Sequence, residues 1–244
     1  MNVLILAAQN SRQDMQEEPT LPVCLTEIDG KPLLELLTEA VEPLKPERII
    51  FAFMKHDIAH WGLDYIVEQL APGSVLISVE KITAGAACTA LLGAPYIDND
   101  EELLILSANE LVRQELGPVI EDFRARGADA GVMSFNSVHP RYAYVRLDAN
   151  GNVVEASEKR PISRNAIPGI FWFLKGRQFV EAAKNILRKD AKVRNTFYIS
   201  STLNELILEH RSIGMFPIEK EFYIPLKTEK QLDQFELLKF MQQV

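Results

Sequence analysis

Apolar residues along this chain come in two kinds of run. Residues 2–7, 48–54, 74–79 and 102–107 are almost continuously apolar, without alternation. Runs of that length predict strands covered on both faces, as in a parallel sheet. Helical spacings lie between them. Pro32 opens one at a first-turn position, and Leu33, Leu34, Leu36, Leu37 and Val41 carry it on; a first-turn proline has no helical hydrogen bond to lose. Residues 58–70 predict a second helix, ended by Ala71-Pro72-Gly73, and residues 84–92 a third made of small side chains. A fourth, over 118–126, stops at Gly127.

That strand–helix alternation predicts parallel strands with helices on both faces. After residue 127 the rhythm changes. Residues 130–137 and 142–147 read as strands, and 148–152 carries an Asn-Gly turn signal ahead of a short strand at 153–155. Residues 167–174 predict one more strand, 177–187 and 199–209 two helices, 213–218 a strand, and 228–241 a terminal helix. No repeat, low-complexity tract or Gly/Ser linker interrupts the pattern. The expected fold class is therefore α/β, a mostly parallel mixed central sheet between helical layers, with residues 1–244 forming one domain.

Composition narrows the function. The 244 residues are 47% hydrophobic and 25% charged, which suits a packed core and excludes a disordered chain. Lys plus Arg is 26 against 34 Asp plus Glu, a net charge of −8, so the balance argues against nucleic acid as a partner. Cys24 and Cys88 are too few for a disulfide framework or a zinc site. No apolar run approaches the ~20 residues of a membrane span. Residues 1–8 lack a leading basic region and read as a buried strand, not a signal peptide. A soluble, cytoplasmic protein is expected.

Ligands of open α/β sheets bind beyond the C-terminal strand ends, which makes the polar stretch 9–21 the default site. Arg12 is its one cation, against Asp14, Glu17 and Glu18, and it holds no glycine to bring backbone N–H groups up to a phosphate. Arg12 is either a phosphate contact or a solvated loop residue. Thr83-Ala84-Gly85-Ala86-Ala87 would let a flat group such as a nucleobase lie on the backbone, or would only pack a helix tightly on the sheet. At the end of the fourth strand, Asn109 and Glu110 stand where a carboxylate could hold Mg²⁺ beside a phosphate; Asn109 offers a neutral oxygen, and Glu110 points there or elsewhere.

Glu158 and Lys159, ahead of Arg160-Pro161, pair a group for sugar hydroxyls with a group for a phosphate, or form a solvated charge pair. His56 and His60 have the spacing of an H-E-x-x-H zinc helix, but Asp57 replaces the glutamate and no third ligand is evident, so a solvated helix face is expected. Both cysteines sit in apolar company as packing residues, and Trp61 and Trp172 read as core or rim aromatics.

Taken together, these segments resemble the sugar-phosphate nucleotidyltransferase family over most of the chain. Residues 21–33, Leu-Pro-Val-Cys-Leu through Gly30-Lys31-Pro32-Leu33, are similar to the family's L-P-K-P-L and G-K-P stretch. Residues 83–87 resemble its base-binding segment, and 103–110 its strand ending in a metal-binding aspartate. Residues 144–148 and 158–161 resemble its Y-G-V-V and E-K-P elements. Residues 168–173 resemble its G-I-Y-x-F strand, and Phe197-Tyr198 with residues 204–207 a late segment. The nearest likeness is to small members linked to capsule and surface-polysaccharide genes.

The resemblance implies a GT-A-like, Rossmann-like three-layer fold. It implies transfer of a nucleotidyl group from a nucleoside triphosphate to a sugar 1-phosphate with release of pyrophosphate. Ser11 and Arg12 would meet the triphosphate, and Asn109 and Glu110 would assist Mg²⁺. Thr83, Gly85 and Ala86 would take the base, and Glu158, Lys159 and Gly169 the sugar phosphate. The implied partners are a nucleotide or nucleotide sugar and a sugar phosphate, with a homo-oligomer left open.

The chain departs from the family at the chemistry. Ala8-Gln9-Asn10-Ser11-Arg12 stands where the family has G-x-G-[ST]-R, Val23 where it has a lysine, and Asn109 where it has the aspartate. Residues 227–232 replace its G-T-P-E-D-L. These departures imply weak triphosphate binding and slow transfer. One alternative is an inactive relative that binds a nucleotide sugar, a phosphosugar or a partner enzyme. Another is a GT-A glycosyltransferase, although Asp98-Asn99-Asp100, which has the letters of a D-x-D motif, precedes its strand.

Overall fold

The structure is a computed structural model whose described residues are 1–8 and 21–226. The predicted helix over 228–241 lies outside them, as do Ser11, Arg12 and the rest of 9–20. The strands, in chain order, are β1 (Asn2–Leu6), β2 (Glu27–Ile28), β3 (Lys31–Pro32), β4 (Arg48–Met54), β5 (Val75–Val79), β6 (Leu103–Ser107) and β7 (Glu110–Val112). Then come β8 (Ala130–Asn136), β9 (Ala143–Leu147), β10 (Val153–Glu158), β11 (Asn165–Ile167), β12 (Ile170–Phe173), β13 (Ile213–Pro217) and β14 (Tyr223–Pro225). The helices are α1 (Leu33–Val41), α2 (Lys55–Trp61), α3 (Leu63–Leu70), α4 (Ala86–Leu91), α5 (Ala94–Ile97), α6 (Leu116–Ala125), α7 (Gly176–Arg188) and α8 (Thr202–Leu208).

The continuous apolar runs form the parallel half of a ten-stranded sheet, ordered β10-β9-β11-β8-β12-β6-β1-β4-β5, with β13 added beside β8. β4, β5, β6, β8, β9 and β13 run with β1, and only β10, β11 and β12 run against it. Alternate residues of each central strand serve opposite layers, because successive side chains point to opposite faces. Val3, Ile5, Leu104 and Leu106 pack with α1, α3 and α6, whereas Leu4, Leu6, Leu103 and Ile105 pack with α4, α7 and α8. This is the three-layer α/β arrangement expected from the alternation.

Two elements differ from the sequence reading. The predicted helix over 58–70 is two helices, because Gly62 takes a left-handed φ of 62° and caps α2. The predicted strand over 167–174 is also divided. β11 and β12 both lie against β8, but Pro168-Gly169 separates them, and β12 pairs with β6 while β11 pairs with β9. β2, β3, β7 and β14 are two- and three-residue strands that periodicity does not reveal.

Packing on the α6 face is tight at one glycine. Phe123 stacks on Trp172, with ring centroids 5.7 Å apart. A Cβ at Gly131 would sit 2.3 Å from the Phe123 ring. Gly131→Ala is therefore expected to destabilise the fold by about 1–3 kcal/mol, the usual cost of overpacking; an unchanged urea midpoint would show that Phe123 yields freely.

Cys24 is buried, and that burial, with Asp57 nearby, pushes its thiol up to about 12. A thiol raised that far carries almost no thiolate at pH 8. Native protein at that pH should therefore release at most one thiol to an aromatic disulfide reagent, from half-buried Cys88, and two once unfolded. Rapid labelling of Cys24 in the native state would contradict this placement.

Candidate substrate cleft

A cavity of about 650 Å³ opens where β1 and β6 end and the sheet divides at Pro168-Gly169. Its lining comes from separate parts of the chain. Leu6 and Ala8 follow from β1, Ser107 and Asn109 from β6, Thr83, Gly85 and Ala86 from the approach to α4, and Glu158 and Lys159 from the end of β10. Thr83, Gly85, Ala86, Asn109, Glu158, Lys159 and Gly169, named separately from sequence, thus lie around one cavity.

The wall formed by Thr83, Gly85 and Ala86 is held by backbone. Gly85 has φ 140°, and a Cβ there would fall 2.3 Å from the Phe197 carbonyl oxygen. Phe197 N–H donates to the Ala84 carbonyl at 2.9 Å, and Ala87 N–H donates to the Phe197 carbonyl at 3.2 Å. Thr83 Oγ1 donates to the Gly85 carbonyl at 2.9 Å, tying the turn to itself. Thr83-Ala84-Gly85 is small, therefore, because another chain segment lies directly against it.

That segment continues to the opposite wall. Ser200 Oγ donates to Glu158 Oε2 at 2.8 Å, and Lys159 Nζ lies 5.2 Å from the centre of the Tyr198 ring, over its face. Lys159 itself is left-handed, φ 57°, with its N–H donating to the Tyr142 carbonyl at 2.9 Å. Arg194 and Asn195 form a tight turn closed by Val193 and Thr196, and both are left-handed, at 49° and 66°. Arginine is an unusual occupant of such a turn, and this one lines the cavity.

Sequence reasoning missed Arg194 and Arg141. Arg141 lines the cavity beside Tyr142, over whose ring it lies at 5.7 Å. Neither stands in a pattern that spacing alone would single out; in Arg194-Asn195 the asparagine is the sole turn signal. With Lys159 they give the described lining three cations against one carboxylate, Glu158. Burial, its leading cause, pushes the Tyr142 hydroxyl up, so it stays a neutral donor at physiological pH.

Glu110 departs from expectation. It was expected beside Asn109 as an Mg²⁺ ligand, yet it is buried and does not line the cavity. One carboxylate oxygen accepts the Gly169 N–H, and the other accepts the Tyr223 hydroxyl at 2.7 Å. Mg²⁺ favours carboxylate and phosphate oxygens. Among the described residues the cavity presents one carboxylate, which already accepts Ser200, and no group of three His, Cys, Asp or Glu is placed to hold a metal. This donor set does not fit a protein-held divalent ion; it fits an anion.

Val23, where the resembling family has a lysine, is half-buried against the α1-side core and away from the cavity lining. Asp98 and Asp100 lie ahead of β6, at the end of the sheet opposite the cleft, in ion pairs with Lys184, Lys175 and Arg177. Among the described residues no helix is long and apolar enough to cross a membrane.

A mixed α/β sheet with a cation-lined cleft at its strand ends places the chain in the Rossmann-like class. The chain matches the family model described as Nucleotidyl transferase over residues 21–216, and it belongs to that family. It is 27% identical over 145 residues to a glucose-1-phosphate thymidylyltransferase of Neisseria meningitidis serogroup A / serotype 4A. That match covers 58% of this chain and 48% of the relative, so it spans about half of the curated protein.

Among solved structures, a nucleoside-diphosphate-sugar pyrophosphorylase from Vibrio cholerae RC9 superposes with TM-score 0.77 at 19% identity, covering 96% of this chain and 99% of that one. A UDP-glucose pyrophosphorylase complexed with UDP-glucose gives TM-score 0.75 at 13% identity, covering 99% and 98%. Those likenesses establish the fold.

Gly85 offers a direct test of how this wall is held. Gly85→Ala places a methyl into the Phe197 carbonyl at a φ that side chains avoid, so a loss of about 1–3 kcal/mol in urea unfolding is expected. Amide exchange at Phe197 should rise with it. A variant as stable and as protected as wild type would mean the two segments are not clamped.

Proposed function

We propose that the protein is a sugar-phosphate nucleotidyltransferase of slow turnover, serving nucleotide-sugar or surface-polysaccharide synthesis. The observation that carries this reading is the meeting, in one cavity, of the Thr83–Ala86 segment with Glu158, Lys159 and Gly169. Family membership and the curated relative support the same class of reaction. In that reaction a phosphate oxygen of the sugar 1-phosphate attacks the α-phosphorus of the triphosphate. A new P–O bond forms, the α–β P–O bond breaks, and pyrophosphate leaves with the electron pair. Such transfers depend on positioning and charge neutralisation more than on covalent help from the protein. Lys159, Arg194 and Arg141 supply cations for the phosphates, and Glu158 accepts from sugar hydroxyls.

Slow turnover follows from Asn109, a neutral amide at the end of β6, and from Glu110 being engaged away from the cavity. The same pair of observations favours a second reading, a relative that binds nucleotide sugars or phosphosugars without transferring. Pyrophosphate release separates the two. Glucose 1-phosphate and other sugar 1-phosphates are offered with each common triphosphate, with and without added Mg²⁺. The expected outcome is turnover below ~1 s⁻¹, the low end of ordinary enzymes, raised by Asn109→Asp. Lys159→Met should weaken sugar 1-phosphate binding about tenfold, the worth of one charge-assisted hydrogen bond. No release alongside measurable UDP-glucose binding selects the second reading, and neither release nor binding rejects both.

A further inference from the structure

The cleft floor is held from beneath by a strand near the end of the described chain. β7 pairs with β14, setting Pro225 opposite Glu110, and Leu226 N–H donates to the Asn109 carbonyl at 2.9 Å. The Glu110 carboxylate, 1% exposed, receives the Gly169 N–H on one oxygen and the Tyr223 hydroxyl on the other. Gly169 in turn accepts the Ser107 N–H at 3.0 Å. The Tyr223 ring stacks on Phe135, centroids 4.3 Å apart, and meets the edge of Tyr142, which lines the cavity.

A carboxylate this deeply buried is costly unless hydrogen bonds satisfy it, and these bonds aim it at one backbone N–H. The space admits no alternative at position 169. A Cβ there would lie 2.4 Å from Glu110 Oε1 and 2.5 Å from Ser107 Oγ. Tyr223, Glu110, Gly169 and Ser107 therefore form a chain of hydrogen bonds from β14 to the end of β6, beside Asn109.

We propose that Tyr223 and Glu110 are positioning residues for this cleft. Tyr223 orients the Glu110 carboxylate, the carboxylate fixes the Gly169 amide, and the Gly169 turn sets the floor on which the phosphosugar rests. The ligand half of this inference rests on the proposed function; the clamp itself is measurable without ligand.

Three variants of the full chain test it. Tyr223→Phe keeps the ring stack and removes one hydrogen bond. Glu110→Leu removes both. Glu110→Gln keeps an oxygen for Gly169 and turns an N–H toward the Tyr223 oxygen. Amide exchange at Gly169 in the free protein should quicken about tenfold or more in Glu110→Leu and Tyr223→Phe, and stay within about threefold of wild type in Glu110→Gln. Exchange in β1 and β4 should hold throughout. The Kd of UDP-glucose and of glucose 1-phosphate should follow the same order.

Should Glu110→Leu fail to fold, the Phe and Gln variants still decide. Wild-type exchange in Tyr223→Phe, Glu110→Gln no better protected than Tyr223→Phe, or exchange quickened evenly across the sheet overturns the proposal. If wild type binds neither probe, the functional reading fails while the exchange series still judges the clamp.

Discussion

The cleft depends on one interruption of the sheet. Had β11 and β12 been continuous along β8, the space beyond Ser107 would be closed by ordinary ladder pairing. Pro168 brings no N–H to a ladder, and Gly169 brings no Cβ. At that dipeptide one strand goes on beside β6 while the other pairs with β9. The sheet opens there, at the ends of β1 and β6, where a ligand can approach backbone from several strands at once. An opening of this kind would tend to collapse or to admit water at random. Here Glu110 takes the Gly169 N–H from below, and Ser107 donates to the Gly169 carbonyl from the side.

A second constraint joins the walls to each other. The stretch from Arg194 to Ser200 hydrogen-bonds to Ala84 and Ala87 at one end and to Glu158 at the other. It begins with two consecutive left-handed residues, which cost of order 1–3 kcal/mol each outside glycine. Asparagine bears that conformation comparatively well, whereas arginine gains nothing from it locally. The surrounding backbone hydrogen bonds hold the turn, and the result is an exposed arginine in the cavity lining. The same stretch therefore joins the two walls, by backbone hydrogen bonds at Ala84 and Ala87 and by the Ser200 and Tyr198 side chains at Glu158 and Lys159.

How much of this could be read from the chain follows from what each signal measures. The continuous apolar runs marked the parallel strands β1, β4 and β6, because burial on both faces leaves no other pattern, and marked β5 too, although at the sheet edge it is only half-buried. Gly62 and Pro168-Gly169 were visible as residues, but whether a glycine ends a helix or merely sits in one is decided by tertiary contacts. Thr83, Gly85, Glu158 and Lys159 could be singled out because they fall in segments with small or charged residues beside predicted strand ends. Their meeting could not, since it rests on crossovers between β5, β6, β10 and β12. Arg141 and Arg194 carried no signal at all. Glu110 shows the reverse case: its residue type and position suggested a ligand, but its direction is set by Tyr223, more than a hundred residues away, and one step along a strand turns a side chain to the other face.

Charge provides the last step. The whole chain carries −8, which taken alone would repel phosphates. Screening limits that effect, because the Debye length at physiological salt is about 8 Å, and exposed charges beyond it are largely masked. The cleft gathers exposed Arg141 and Arg194 and half-buried Lys159 against Glu158 around one cavity, so a ligand there meets a local excess of positive charge that the sum over the surface hides. Glu110 would have cancelled one of those cations had it faced the cavity. Accepting from the Gly169 amide and the Tyr223 hydroxyl instead, it shapes the floor and takes no place among the lining side chains. The shape of the floor and the make-up of the lining are therefore both tied to the direction this one buried carboxylate takes.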